Sequence, residues 1–212
     1  MNADELIRAL AADTPPQASS LNRSIAQAMM IGVVCALALF FATIGPRPGL
    51  ASAIHDPRVI LKFLTTLSLV IAAGGLLLRT IRPGAGRGWW AIALLLPALL
   101  IALGAIVELN AFPREMWGAR LVGRFAPFCL VCVPLLSAPI LAALLFVLRQ
   151  GAPIRPGLAG AVAGLLAGGA GAFIYAAHCP DDSPLFLMTW YSLSIALVTL
   201  VGSLIGRRIL RW

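Results

Sequence analysis

Charge is what this chain has least of. Asp and Glu together number eight in 212 residues, charged residues of either sign make up 11%, and Lys62 is the sole lysine. A soluble domain carries about 25% charged residues, so a water-exposed globular fold is excluded, and too few polar residues remain to build a second domain. The sixteen Lys and Arg leave a net charge of +8, but they stand singly in short loops and form no basic block, which argues against a nucleic-acid surface. Polar side chains are almost absent from the middle of the apolar runs, and the second half of the chain does not repeat the first. Both observations argue against a transporter. A second Cys-x-x-Cys and any recognisable cofactor motif are missing as well.

Hydrophobic residues, in contrast, make up 60% of the chain. Crossing roughly 30 Å of hydrocarbon takes about 20 helical residues at about 1.5 Å each. Six runs meet that length: 24–45, 59–78, 89–107, 125–148, 158–177 and 185–206. Lipid satisfies no exposed backbone group, so the runs must be helices. The expected fold is all-α, a bundle of six transmembrane helices over residues 24–212 with a short cytoplasmic tail, residues 1–23. Asp4, Glu5 and Asp13 precede the first run, which is long enough to span, so it reads as a span rather than as a cleaved signal peptide.

Six spans put both termini on one side. Arg8, Arg23, Arg79, Arg82, Arg87, Arg149, Arg155, Arg207, Arg208 and Arg211 fall on that side. Arg47, Arg58, Lys62, Arg114, Arg120 and Arg124 fall on the other, together with Asp56, Glu108, Glu115, Asp181 and Asp182. The excess of Lys and Arg predicts that both termini are cytoplasmic. Trp89, Trp90 and Trp212 sit at the inner interface on this reading, while Trp190 and Tyr191 lie deep enough to be packing residues.

In the tail, Asn2 followed by Glu5 has capping-box spacing, Leu6, Ile7 and Leu10 share a helical face, and Pro15-Pro16 ends the segment. It reads either as an interfacial helix or as a segment that orders on a cytoplasmic partner. Pro134 and Pro139 predict a kink near Cys129 and Cys132, and Pro97 acts similarly in the third run. Gly160, Gly164 and Gly168 offer a smooth face to a neighbouring helix.

Four cysteines remain to be placed. Cys35 falls mid-span among Val, Ala and Leu and reads as a small core residue. Cys129 lies a turn into the fourth span and Cys179 just past the fifth, so topology puts both thiols at the outer face. A disulfide or a shared metal is geometrically open to them. Cys129-Leu130-Val131-Cys132 has the spacing of redox dithiols and of metal sites, although Cys132 lies deeper in hydrocarbon. The segment His178-Cys179-Pro180-Asp181-Asp182-Ser183-Pro184 adds an imidazole and two carboxylates, a set that suits divalent metals. Its plainer reading is a solvated turn in which Asp181 or Asp182 caps the sixth helix.

Several strings resemble the membrane-embedded anti-sigma factors of the NrsF (negative regulator of sigma F) type, almost end to end. They are Asp4-Glu5-Leu6-Ile7 with Leu10-Ala11-Ala12-Asp13, Gly45-Pro46-Arg47-Pro48, Cys129-Leu130 with Pro134-Leu135-Leu136-Ser137, and Tyr175-Ala176-Ala177-His178-Cys179-Pro180-Asp181-Asp182-Ser183-Pro184 running on to Trp190-Tyr191. The resemblance implies a non-enzymatic protein of the bacterial inner membrane that holds an extracytoplasmic-function sigma factor inactive, with the tail residues Asp4, Glu5, Leu6, Ile7 and Leu10 docking it. It also implies that Cys129 and Cys179 take part in sensing. Cys132 and Cys35 stand outside that pattern.

The expected function is therefore release of the sigma factor when the outer-face thiols meet an oxidant or a thiophilic metal. His178, Asp181, Asp182 and Cys132 are candidate accessory ligands. No cofactor is required, but a heavy or transition metal ion could bind at Cys129, Cys179 and His178. The alternative is a membrane thiol-disulfide oxidoreductase that uses the Cys129/Cys132 pair and passes electrons to a quinone.

Overall fold

The computed structural model of the chain describes residues 2, 4, 5, 17–81 and 88–211, with residues 17–20 as backbone only. Six helices are long and apolar enough to cross a membrane. They are α1 (Gln17–Thr43), α2 (Pro57–Thr80), α3 (Gly88–Ala111), α4 (Ala126–Gln150), α5 (Pro156–Ala176) and α6 (Pro184–Ile209). Among the described residues there is no strand.

Each helix coincides with an expected apolar run. The largest difference is α1, which is helical from Gln17 rather than from residue 24. Apolarity marks the part of a helix suited to lipid, whereas the helix itself continues into a polar turn. Proline in the first turn starts α2, α4, α5 and α6, where its missing N–H removes nothing. Asp56 completes the start of α2, its Oδ1 accepting from the Arg58 N–H at 2.8 Å. The helix breaks in α3 at Leu94, between Gly88–Ala93 and Leu95–Ala111. Pro97 accounts for the break, because it has no N–H to offer the Ala93 carbonyl one turn back. In contrast, α4 stays helical through Pro134 and Pro139.

The most enclosed span is α5, which packs against α2, α4 and α6, while α1 lies on α4 and α3 on α2. Glycine makes the α5–α6 contact close. A Cβ on Gly160 would lie 2.2 Å from the Gly202 carbonyl oxygen, and one on Gly202 would lie 2.5 Å from that of Gly160. The backbones therefore meet directly, as the Gly160-Gly164-Gly168 spacing predicts. The bundle's outer surface is apolar: Phe41 is 68% and Phe146 71% exposed. In water such a surface would aggregate; against lipid it is matched.

Cys35 corrects an expectation. It is exposed on α1 rather than buried in the core. The inward stripe of α1 is Ala28, Gly32, Ala36 and Phe40, and Cys35 stands about 100° away from Ala36 around the helix.

Candidate functional site

Residues 177–183 join α5 to α6 and bond to segments belonging to the other four spans. From the turn after α1, the Gly45 carbonyl lies 2.8 Å from His178 Nδ1, and the Arg47 N–H donates to the Ala177 carbonyl at 3.0 Å. The Arg47 guanidinium reaches the Cys179 carbonyl at 3.3 Å and Asp182 at 2.8 Å. From α2, Lys62 is wholly buried, and its Nζ donates to the Cys179 carbonyl at 2.8 Å, the Asp181 carbonyl at 3.1 Å and Asp182 Oδ1 at 2.9 Å. These contacts occupy all three ammonium donors, as burial of a charge requires.

Asp181 caps a helix other than the expected one. Its Oδ2 accepts from the backbone N–H groups of Arg124 at 2.9 Å and Phe125 at 2.8 Å, which closes the start of α4. Gly123 permits this approach: its φ is +60°, and a Cβ there would lie 2.7 Å from the same carboxylate oxygen. The start of α6 is capped instead by Glu108, from the far end of α3. Glu108 accepts from Ser183 Oγ at 2.6 Å and the Leu185 N–H at 3.2 Å, and is ion-paired with Arg120 in the short helix Trp117–Val122. One π-helical turn, Leu187–Tyr191, follows and turns the buried Tyr191 ring beneath Lys62, with the Nζ 5.6 Å from its centroid. Trp190 donates through Nε1 to the Leu121 carbonyl at 2.9 Å, so both aromatics pack within the bundle.

Inside this frame lie the two thiols. Cys129 and Cys179 have no exposed surface, and both belong to the same buried cluster as Tyr175 and Tyr191. The Ser194 hydroxyl donates to the Cys129 carbonyl at 3.2 Å and lies 3.8 Å from its Sγ; the Cys179 thiol points to the Asp181 carbonyl at 3.8 Å. Both tyrosine hydroxyls are buried near Cys179 but lie outside hydrogen-bond geometry. Burial pushes the Cys179 thiol above its ordinary range, and the Lys62 ammonium and the Asp181 carbonyl pull it back part of the way. All four cysteines are free. Cys132, one turn deeper in α4, is half-buried.

A three-ligand metal set is a different matter. Among the described residues no three of His, Cys, Asp and Glu converge as metal ligands. His178, Asp181 and Asp182 instead have protein partners, which is the physical reason they do not gather around the sulfurs. Of the expected docking residues, Asp4 and Glu5 are helical, and Glu5 Oε2 accepts from the Asn2 N–H at 3.2 Å, one half of the capping box. Leu6, Ile7 and Leu10 lie outside the described residues. In the sequence Lys62, Glu108 and Arg120 serve only as topology markers, and Arg47 only as that and as part of the string Gly45-Pro46-Arg47-Pro48. The available signal was Lys62 itself, the chain's one lysine, one turn into an apolar run.

Fold and site together define a class: a bundle of six helices long and apolar enough to cross a membrane, closed at one end by a charged loop next to two buried thiols. The family described as "Negative regulator of sigma F" matches residues 10–212. A relative from Caulobacter vibrioides, named "Anti-sigma-F factor NrsF", is 36% identical, with 100% of each chain covered. Another from Azospira oryzae, named "Probable anti-sigma-F factor NrsF", is 37% identical over the same full share of both. The chain belongs to the NrsF family. No solved structure matches it.

Proposed function

We propose that this chain is an anti-sigma factor of the bacterial inner membrane. It holds an extracytoplasmic-function sigma factor on the cytoplasmic side, where both termini lie, and releases it when Cys129 and Cys179 are modified from the other side by an oxidant or a thiophilic metal. The relatives' names support the sigma-factor half of this reading. The sensing half rests on one observation: the loop carrying Cys179 is bonded to the turn after α1, to α2, to α3 and to the turn before α4, and its thiol is buried in the same cluster as that of Cys129.

Neither thiol can meet a reagent while the loop is seated, so modification and loop displacement are coupled. Oxidation joins the two sulfurs, releases both thiol protons and passes two electrons to the oxidant; with a peroxide the products are a disulfide and two waters, or a water and an alcohol. A thiophilic metal would instead be held by two thiolates. Residues 1–23, with Asp4, Glu5, Leu6, Ile7 and Leu10, form the docking segment.

Two measurements test this. Cys129→Ser and Cys179→Ser should each abolish induction of sigma-dependent transcription by oxidant or metal, and an unchanged response in both would refute sensing. Sigma factor should co-purify with the full chain from membranes and not with a form lacking residues 1–23; retained binding would refute docking by the tail.

A further inference from the structure

At the opposite end of the bundle a cleft of about 590 Å³ opens between the start of α5 and the end of α6. Arg155, Arg207 and Arg211 line it, above Leu158, Ala161 and Ser203. None of the ion pairs among the described residues involves these arginines; all three pairs lie at the loop end. Arg207 is folded across the first turn of α5: a Cβ on Gly157 would lie 2.8 Å from its Cγ and 2.9 Å from its Nε. With glycine at 157 the Arg207 side chain lies directly against the backbone of that turn. That turn has no side-chain cap, and Pro156 contributes no N–H.

Positive charge thus gathers where nothing described on the protein neutralises it. Three exposed arginines line one concavity beside a helix end that itself carries about half a positive charge. Arginines at a membrane interface commonly snorkel into water; here Arg207, though exposed, lies along the first turn of α5 against Gly157. Guanidinium forks match the paired oxygens of a phosphate, and Leu158 and Ala161 in the same lining suit the glycerol end of a lipid better than water.

We infer that this cleft binds a phosphate group, held by Arg155, Arg207 and Arg211. The sources of that chemistry are the phosphodiester headgroup of an anionic phospholipid and a free phosphate ion. The site is independent of the thiol pair and of the sigma-factor reading.

The full chain, purified in a zwitterionic detergent, should be titrated separately with dioctanoyl phosphatidylglycerol, dioctanoyl phosphatidylcholine and inorganic phosphate, with bound ligand counted by native mass spectrometry. The Arg155→Gln/Arg207→Gln variant should bind about a hundredfold more weakly, one tenfold step of about 1.4 kcal/mol for the charged hydrogen bond that each arginine loses. Arg149→Gln/Arg208→Gln removes the same charge from the same end but outside the cleft, and should bind as the unmodified chain does. Cleft-dependent binding of phosphatidylglycerol assigns the site to a lipid headgroup; cleft-dependent binding of inorganic phosphate assigns it to the free ion. Equal loss in both variants, or no preference for phosphatidylglycerol over phosphatidylcholine together with no cleft-dependent binding of inorganic phosphate, overturns the inference. Should the glutamine variant not fold, Arg207→Lys keeps the charge and loses the fork. It should still bind more weakly, and unchanged binding would count against the site.

Discussion

Lys62 is the residue on which the loop depends most. Its ammonium satisfies two carbonyls and one carboxylate from a position with no exposed surface, so removing it takes the buried donor from the Cys179 and Asp181 carbonyls and leaves Asp182 to Arg47 alone. Lys62→Met should cost about 3 kcal/mol or more, read as a lowered midpoint of thermal unfolding in detergent. Arg47→Gln should cost less, because Arg47 retains some exposure and Lys62 would still hold Asp182. A loss for Arg47→Gln equal to that for Lys62→Met would place the centre of the network elsewhere. Cys179 supplies a second test. The fold raises its pKa, so the native state favours the protonated thiol. Its contribution to stability is complete below the ordinary thiol range near pH 8.5 and is lost as pH rises through the raised value. The unmodified chain should lose stability above about pH 8.5 more steeply than Cys179→Ser. At neutral pH, in intact membranes, Cys179 should also react far more slowly with iodoacetamide than it does once the chain is unfolded in denaturant. Fast labelling would show that the loop stands open.

Among the elements, the α5–α6 pair is held by backbone contact rather than by side-chain interlock, which makes it intolerant of added volume. Gly160→Leu would put a side chain where the Gly202 carbonyl already lies, and should cost about 1–3 kcal/mol or more. Reduced yield of folded protein and a lowered midpoint would show it, with Gly118→Leu, at a position with open space around it, as the neutral control. This contact was legible in the sequence, since glycines four apart mark one helical face, as were the six spans and the placement of Cys129 and Cys179 near one bundle end. The capping pattern was not. Sequence suggests that an acid just before a helix caps that helix, but here Asp181 caps α4 and Glu108 reaches from α3 to cap α6. Capping across chain segments depends on which ends meet in space, and no local spacing encodes that. For the same reason the strings Gly45-Pro46-Arg47-Pro48 and His178-Cys179-Pro180 are each conspicuous alone, while their contact through His178 and Arg47 emerges only in the fold. Cys35 was misplaced because a uniformly apolar run does not reveal which side faces lipid.

For the molecule as a whole, the proposed switch must carry a change at the thiols to the opposite end of the bundle, and magnitudes restrict how. Moving an equilibrium from 1:99 to 99:1 takes about 5.5 kcal/mol of difference between the states. A disulfide typically contributes about 2–4 kcal/mol, so joining Cys129 to Cys179 falls short by itself. The remainder can come from the loop. If modification unseats residues 177–183, the Lys62, Arg47 and Glu108 contacts change together, and with them the restraint on all six helix ends. The thiols then act as a trigger and the ion-paired loop as the latch. On that basis, weakening the latch should imitate the signal without any oxidant. Lys62→Met should raise sigma-dependent transcription in unstressed cells and reduce the sigma factor recovered with the membrane protein, and should do so equally in a Cys129→Ser background, where no disulfide can form. Immunoblotting of membranes must show the variant at the abundance of the unmodified chain, since a degraded protein would also free its partner. A Lys62→Met protein that is present, folded and still fully bound to the sigma factor would mean that the loop transmits nothing, and that the thiols act through α4 alone.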